Sequence, residues 1–293
     1  MDTVLVVIAR PGSAALDAEA VATVRRHAPG DPNWLAEREA FEMHIGDAPR
    51  DLEPALRHAL SARPVDVALV PARDRRKQLL VADMDSTVIG QECIDELATL
   101  AGVGDQVREV TRRAMAGELD FEASLKARVD LLKGLPANDI GRLLDTRISL
   151  TPGARTLTAT MRAHGALTAL VSGGFTAFTG PVAERAGFEI DRANQLVIEG
   201  GRVAGRVAEP ILGRAAKVEV LDELAAARKA SRRDVIAVGD GANDIGMITA
   251  AGIGVALHGK AALREVADVR IDHGDLTALL YLQGFSRDQF VSG

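Results

Sequence analysis

Two aspartates stand two residues apart directly after a short apolar run that predicts a buried strand. They are Asp83 and Asp85, and the run is Leu79–Ala82. A buried carboxylate is tolerated when it is paired, hydrogen-bonded or bound to a metal ion. Asp83 could attack phosphorus and form an aspartyl-phosphate, and Asp85 could then protonate the leaving alkoxide and later activate water. The alternative interpretation is a pair of exposed turn aspartates.

A second acidic loop follows another apolar run, at residues 235–238, and contains Asp240 and Asp244. Two acidic strand ends together could hold Mg²⁺, which prefers oxygen ligands, keeps several waters and bridges to substrate phosphate. The side chains of Asp83 and Asp240 and the backbone carbonyl of Asp85 could supply three oxygens. Asp244 could orient a water beside them. The alternative is that Asp240 and Asp244 only cap the helix that follows.

Donors for a phosphate group are predicted at two further places. Ser172 and Gly173 end an apolar run and lead into a predicted helix, where a hydroxyl and backbone N–H groups could hold phosphate oxygens. Taken alone, this segment favours an ordinary turn before a helix. Lys217 precedes Val220 by three residues, on the apolar stripe of its own helix. It could pair with Asp83 and phosphate, or extend to solvent from the first turn.

Arg128 falls in the middle of an apolar helical stripe formed by Phe121, Leu125 and Leu132. A guanidinium in such a place needs a partner. The partner could be an acid of the same segment, or a substrate carboxylate bound bidentately. Glu92 could hold an ammonium group, or could simply favour a helix amino terminus. Together, Arg128 and Glu92 would suit the two opposite charges of an amino acid.

The elements that position these residues alternate between strands and helices after the first quarter of the chain. This alternation predicts an α/β fold with a parallel sheet covered on both faces. Ligands of such sheets bind beyond the carboxyl ends of the strands, where Asp83, Ser172 and Asp240 all fall. Residues 92–150 interrupt the alternation with amphipathic helices, so we expect a helical cap inserted over the site. The core would then consist of residues 78–91 and 151–293.

Residues 1–73 predict a separate small α/β domain. Within it we expect helices at 17–26 and 52–60 and strands at 4–9, 41–45 and 65–70. The charged run 71–77 predicts a solvated linker to the core. Further along, Thr151 and Pro152 predict the N-cap and first residue of a helix that ends at 164.

Size and charge narrow the class of protein. The chain has 293 residues, 47% of them hydrophobic and 26% charged, which is typical of a soluble globular protein with two domains or one domain with an insertion. The net charge of −6 shows no basic excess for nucleic acid or an anionic membrane. No apolar stretch approaches the ~18 residues of a membrane span, and no signal-peptide pattern opens the chain, so we expect a cytoplasmic location. The lone Cys93 excludes an internal disulfide.

Residues 78 to about 282 resemble the phosphoserine phosphatases of the haloacid-dehalogenase-like superfamily. The D-x-D-x-T element at 83–87 and the G-D-x-x-N-D element at 239–244 identify the superfamily. The segment around Glu92, the cap run 121–132 and the loop 172–175 narrow the resemblance to the phosphoserine branch. The implied fold is a Rossmann-like, doubly wound parallel sheet with an inserted helical cap. Residues 1–73 more distantly resemble ACT-type ligand-binding domains.

The resemblance also implies an activity and a role for each matching residue. The activity is Mg²⁺-dependent hydrolysis of O-phospho-L-serine to L-serine and phosphate, the last step of serine biosynthesis. Asp83 would be the phosphorylated nucleophile and Asp85 the acid and base. The implied metal ligands are Asp83, Asp85, Asp240 and Asp244. The implied substrate-binding residues are Glu92, Arg128, Ser172, Gly173, Lys217 and Asn243.

Several alternatives stay open at this point. The phosphoenzyme could pass its phosphoryl group to homoserine, or the substrate could be another small phosphomonoester. A signalling receiver domain phosphorylated on aspartate is a different class, which the inserted cap and Lys217 argue against. Residues 1–73 could sense an amino acid, mediate homodimer formation or be purely structural. We expect a small-molecule substrate and neither nucleic acid nor membrane as a partner.

Overall fold

A computed structural model describes residues 2–115 and 118–293. Its amino-terminal part is a β-α-β-β-α-β unit, the split β-α-β arrangement. The elements are β1 (Asp2–Ala9), α1 (Ala18–His27), β2 (Asn33–Ala36), β3 (Ala40–Asp47), α2 (Leu52–Ala59) and β4 (Val65–Pro71). The strands lie in the order β2-β3-β1-β4, with β1 antiparallel to both neighbours. The predicted elements agree within two residues at each end, and the short edge strand β2 is an addition.

Alternation along β1 gives this small sheet two buried faces. Leu5 and Val7 pack with residues of α1 and α2 on one side. Val4 and Val6 point to the other side and join the hydrophobic core of the remainder of the chain, which includes Leu279. The amino-terminal unit is therefore packed against the rest of the protein through one whole face of its sheet.

Polar contacts reinforce this packing. Asp66, which is 1% exposed, accepts the backbone N–H groups of three consecutive residues, 272–274, at distances between 2.7 and 3.2 Å.

The expectation of a solvated linker at 71–77 is wrong for two of its charges. Arg75 forms an ion pair with the buried Glu42. The ammonium group of the buried Lys77 donates to the backbone carbonyls of Asp74 and Arg233 at 2.7 and 2.6 Å.

The rest of the chain is organised around a six-stranded parallel sheet. Its strands are β5 (Leu79–Ala82), β6 (Leu167–Phe175), β7 (Ile190–Asn194), β10 (Val235–Gly239), β11 (Ile253–Leu257) and β12 (Val269–Ile271). They lie in the order β12-β11-β10-β5-β6-β7, and the neighbouring pairs run parallel. Chain order reverses at β5, so the crevice between the ends of β5 and β10 is a topological switch point, where ligands of such sheets bind.

Helices cover both faces of this sheet, as the fold class predicted. They are α7 (Ala154–Ala163), α8 (Thr176–Ala186), α9 (Arg214–Ala227), α10 (Ile245–Ala250), α11 (Ala261–Arg264) and α12 (Ala278–Leu282). Leu79 and Val81 pack with α9 and α10. Leu80 and Ala82 point to the opposite face and pack with α7, α8 and α12. The structure thus has the doubly wound α/β fold predicted from the sequence.

The predicted start of α7 is wrong by two residues. The helix begins at Ala154, and Pro152 lies in the turn before it. The backbone N–H of Ala154 donates to the carbonyl of Thr151 at 3.2 Å, which closes that turn. Gly153 has φ 83°, a left-handed conformation that cannot continue an α-helix and that glycine adopts without strain. The tight turn therefore outweighs the N-cap preference of Thr151.

The segment between β5 and β6 is helical, as predicted. It contains α3 (Cys93–Leu100), α4 (Gly104–Met115), α5 (Phe121–Asp130) and α6 (Asn138–Thr146). The hairpin of β8 (Leu196–Glu199) and β9 (Arg202–Val207) is hydrogen-bonded to the loop after α5, where Gly134 donates to the carbonyl of Val203 at 2.8 Å. Within the described residues, every helix is too short or too polar to span a bilayer.

Candidate active site

Asp83 lies at the carboxyl end of β5 with a buried lysine beside it. Lys217, on α9, is 2% exposed, and its Nζ is 2.6 Å from Asp83 Oδ1 and 2.6 Å from Asp244 Oδ1. The backbone N–H of Met84 donates to Asp83 Oδ1 at 2.9 Å, and the amide of Asn243 donates to Oδ2 at 3.3 Å. The apolar stripe of α9 thus directs a cation into the site, where it pairs with Asp83, rather than out to solvent.

Three buried carboxylates converge where β5 and β10 end. One oxygen from each of Asp83, Asp240 and Asp244 lies within 4.8 Å of the others. Two lysines contact the cluster: Lys217 as above, and Lys260, whose Nζ is 2.9 Å from Asp240 Oδ2. Among the described residues, three carboxylates face two ammonium groups, and this excess of negative charge is costly to bury without a further cation. The all-oxygen donor set and this charge excess fit a hard divalent cation.

Asp244 also organises the loop that carries Asp240. Its Oδ2 accepts the backbone N–H groups of Asp240 and Gly241 at 3.2 and 3.0 Å, while Oδ1 faces Lys217. A Cβ on Gly239 would lie 2.5 Å from the Asp244 carboxylate, so a side chain at position 239 would collide with it. The alternative that Asp244 only caps the helix that follows is wrong for α10, which receives no hydrogen bond from this side chain. The carboxylate instead closes the turn before it and belongs to the acidic cluster.

Asp85 lies outside that cluster and faces the opposite side of the crevice. Its Oδ1 accepts the backbone N–H of Cys93 at 2.9 Å, and its Oδ2 is 3.4 Å from the Ser172 hydroxyl. Directly after Asp85, Ser86 adopts a left-handed conformation with φ 54° inside the turn at residues 84–88. Burial, and then the negative charge of Glu92, raise the pKa of Asp85 to about 7.

The carboxyl end of β6 brings small residues and donors next to Asp85. The backbone N–H of Gly174 donates to the Ser172 hydroxyl at 2.9 Å. A Cβ on Gly174 would lie 3.1 Å from Asp85 Oδ2, and a Cβ on Gly173 would lie 3.2 Å from the ring of Phe121 on the cap. The two glycines therefore let Phe121 and Asp85 approach this end of the strand closely. Phe121, predicted only as an apolar stripe residue, forms a wall of the site.

Glu92 and Arg128 bring opposite charges to the cap side of the crevice. Glu92 accepts a hydrogen bond from the Ser86 hydroxyl at 2.8 Å, and burial raises its pKa. Arg128 donates through Nε to the backbone carbonyl of Ser124 at 3.3 Å, and it forms no ion pair with a carboxylate of the described residues. Burial lowers the pKa of Arg128, and the charges of Asp95, Glu92 and Asp85 oppose this.

The predicted site residues thus form three groups in the structure. Asp83, Asp240, Asp244, Lys217 and Asn243 are in direct contact around the acidic cluster. Asp85 contacts Ser172, with Gly173 beside it. Glu92 and Arg128 interact electrostatically with the aspartates of the other two groups. Among the described residues, one face of the Arg128 guanidinium has no partner.

Comparison with known proteins identifies the family of this chain. A family model described as haloacid dehalogenase-like hydrolase matches residues 80–249, more than half of the chain. The chain belongs to the haloacid dehalogenase-like hydrolase family. In this family the chain is 44% identical over 240 residues to a phosphoserine phosphatase of Streptomyces coelicolor, covering 81% of this chain and 58% of that protein. The chain thus spans less than two thirds of that relative's length.

Two solved structures of the family resemble the fold. A haloacid dehalogenase family hydrolase from Salmonella enterica serovar Typhi superposes with a TM-score of 0.86 at 28% identity, covering 98% of this chain and 99% of that one. A phospho-aspartyl intermediate analogue of phosphoserine phosphatase gives a TM-score of 0.65 at 39% identity, covering 70% of this chain and 98% of that one. The first similarity therefore extends over the amino-terminal unit, and the second is restricted to part of the chain.

Two contacts of this site are missing from the predictions made from the sequence. Lys260 follows β11, and nothing in its local pattern separates it from an exposed lysine at a helix start. Ser86 lies inside the D-x-D-x-T element, and its bond to Glu92 depends on the left-handed turn at that residue. Pairing of β11 with β10 could have indicated Lys260, because adjacent parallel strands place their following residues side by side.

Proposed function

We propose that this chain is a Mg²⁺-dependent phosphatase that hydrolyses O-phospho-L-serine to L-serine and phosphate, completing serine synthesis. The observation that carries the proposal is Asp83, a carboxylate held by a buried lysine within an acidic cluster, next to a crevice whose cap side bears Glu92 and Arg128. The similarity to phosphoserine phosphatases supports the same substrate. Phosphate fits the lysine side of this crevice and an amino acid fits the cap side.

In the first step, Asp83 attacks phosphorus, a carboxylate O–P bond forms, and the bond from phosphorus to the serine hydroxyl oxygen breaks. Asp85 transfers its proton to that leaving oxygen, and a pKa of about 7 leaves a proton on a large fraction of Asp85 at neutral pH. In the second step, deprotonated Asp85 accepts a proton from water as the water attacks the aspartyl-phosphate. Phosphate leaves, and Asp83 is regenerated with Asp85 protonated.

Fixed positive charge and positioning supply most of the acceleration. Phosphate monoester hydrolysis can require up to ~10²¹-fold acceleration, whereas general acid catalysis contributes about 10²–10⁴. Lys217, the Ser172 hydroxyl and the N–H of Gly173 bind and orient the phosphoryl oxygens. Asp83, Asp240 and the backbone carbonyl of Asp85 would hold Mg²⁺, with Asp244 in support. When bound, Mg²⁺ neutralises charge on the phosphoryl group.

Substrate choice depends on the cap. The free guanidinium face of Arg128 binds the serine carboxylate, and Glu92 binds the ammonium group. Phe121 closes the crevice over Gly173 and excludes water from the phosphoryl group.

We also propose that residues 1–73 form an ACT-like domain, 92–150 the cap, and 78–91 with 151–293 the core. Effector binding by the first of these and assembly as a homodimer stay predictions.

A phosphate-release assay tests the proposed activity. The purified chain is given phosphoserine, phosphothreonine and a sugar phosphate, each with Mg²⁺ and with EDTA. We expect phosphate release to be fastest from phosphoserine and to stop in EDTA, because the acidic cluster then lacks its cation. A parallel reaction with homoserine tests transfer, which would appear as phosphohomoserine in place of phosphate. Faster release from the sugar phosphate would contradict the proposed substrate.

Arg128→Ala tests carboxylate recognition separately. We expect kcat/KM for phosphoserine to fall by about 30-fold or more, the effect of about 2 kcal/mol that follows loss of a buried charge partner. The matched substrate is O-phosphoethanolamine, which lacks only the carboxylate. Its kcat/KM should be nearly unchanged by the substitution. An equal loss on both substrates would mean that Arg128 stabilises the cap instead of reading the carboxylate.

A further inference from the structure

Lys260 holds Asp240 in two ways. Its backbone N–H donates to the backbone carbonyl of Asp240 at 2.8 Å, and its Nζ lies 2.9 Å from Asp240 Oδ2. The residue stands just after β11, the neighbour of β10 in the sheet, so the main-chain bond sets the ammonium group beside the carboxylate. Asp240 is 5% exposed. The Lys260 side chain, which is 58% exposed, contacts it from the solvent side of the site.

All three clustered carboxylates are partly occupied by protein donors. Asp83 Oδ1 accepts from Met84 and Lys217. Asp244 receives Lys217 on Oδ1 and two backbone N–H groups on Oδ2. Asp240 has Lys260 on Oδ2, which leaves Oδ1 for a cation. The protein therefore restricts the number of oxygens that each carboxylate can offer.

The number of available oxygens distinguishes cations of equal charge. Mg²⁺ requires near-octahedral geometry with short bonds, whereas Ca²⁺ accepts six to eight oxygens and frequently binds a carboxylate through both. A carboxylate restricted to one oxygen suits the smaller ion. We propose that Lys260 is a positioning residue that keeps Asp240 monodentate and thereby favours Mg²⁺ over Ca²⁺. The proposal rests on the metal site of the proposed function.

The charge of Lys260 has a separate effect, which must be distinguished from this one. A nearby ammonium group repels Mg²⁺ and Ca²⁺ equally, because both carry two charges. Removing that charge alone would change both affinities by the same factor and leave their ratio unchanged. Releasing Asp240 Oδ2, in contrast, benefits the ion that uses two oxygens. The ratio of the two dissociation constants is therefore the quantity to measure.

Calorimetric titration of the full, metal-stripped chain with MgCl₂ or CaCl₂ measures that ratio without any turnover. In Lys260→Met we expect the ratio of Kd for Ca²⁺ to Kd for Mg²⁺ to fall by about tenfold, within the range seen when a partner of a metal ligand is removed. Lys260→Arg retains a charged donor and should keep the wild-type ratio. Lys126→Met is the matched control, because Lys126 forms an ion pair of the same length, 2.9 Å, with Glu209 outside the cluster.

Each outcome decides the proposal. The proposal is supported if the ratio falls in Lys260→Met and keeps its wild-type value in Lys260→Arg and Lys126→Met. An unchanged ratio, whether both affinities rise together or neither moves, overturns it while leaving the metal site intact. Failure of the wild-type chain to bind either ion would overturn the metal site and this proposal together. Thermal melts of the metal-free variants establish that each is folded before titration.

Discussion

Replacing Asp83 with asparagine is expected to lower kcat for phosphoserine by on the order of 10⁵-fold, similar in scale to loss of a nucleophile in other covalent mechanisms. An amide oxygen is a poor nucleophile and cannot form the aspartyl-phosphate. The fold should persist, because Lys217 keeps its contact with Asp244 at 2.6 Å. Steady-state phosphate release and a thermal melt measure the two properties.

The intact mass of the protein after an acid quench distinguishes the residue that is phosphorylated from the residue that donates the proton. Asp85→Asn lacks the proton donor and keeps the nucleophile. With p-nitrophenyl phosphate, whose leaving group needs no proton, it should still gain the mass of one phosphoryl group, whereas Asp83→Asn should gain none. Asp222→Asn is a suitable control, because Asp222 pairs with Arg232 at the surface. A phosphorylated Asp83→Asn chain would place the nucleophile elsewhere.

Replacing Lys217 with methionine is expected to destabilise the protein by about 3–5 kcal/mol as well as abolish phosphate release. The substitution leaves Asp83 and Asp244 without their shared cation at 3% and 0% exposure. Their mutual repulsion and lost solvation then oppose folding. Urea unfolding of the metal-free variants measures the change in the free energy of unfolding.

The matched control for Lys217→Met is Lys126→Met, which removes an exposed ion pair. Such pairs contribute about 0.2–1 kcal/mol, so Lys126→Met should lose much less free energy of unfolding than Lys217→Met. Equal unfolding free energies in the two variants would mean that the buried ion pairs of Lys217 are not what stabilises this site. Loss of phosphate release without loss of stability would leave Lys217 with a role in phosphate binding alone.

The local sequence pattern predicts many of the residues of the candidate active site. An apolar run followed by Asp83 and Asp85 predicts a buried strand with an acidic end, and that prediction needs no distant contact. Lys217 could be found because helical spacing places it among apolar residues. In contrast, the prediction of a solvated linker is wrong at Arg75 and Lys77. Their burial depends on Glu42 and on the backbone carbonyl of Arg233, which are distant in sequence.

The amino-acid sequence by itself determined the alternation of strands and helices, the inserted cap, and which carboxylates and cations stand at strand and helix ends. These follow from hydrophobic periodicity, which is a local property. Only the tertiary structure decided that Lys260 contacts Asp240, that Asp85 faces Ser172 instead of the acidic cluster, and that Asp66 joins the amino-terminal sheet to residues 272–274. Those contacts depend on strand order and on sheet packing, which bring together residues that no local pattern relates.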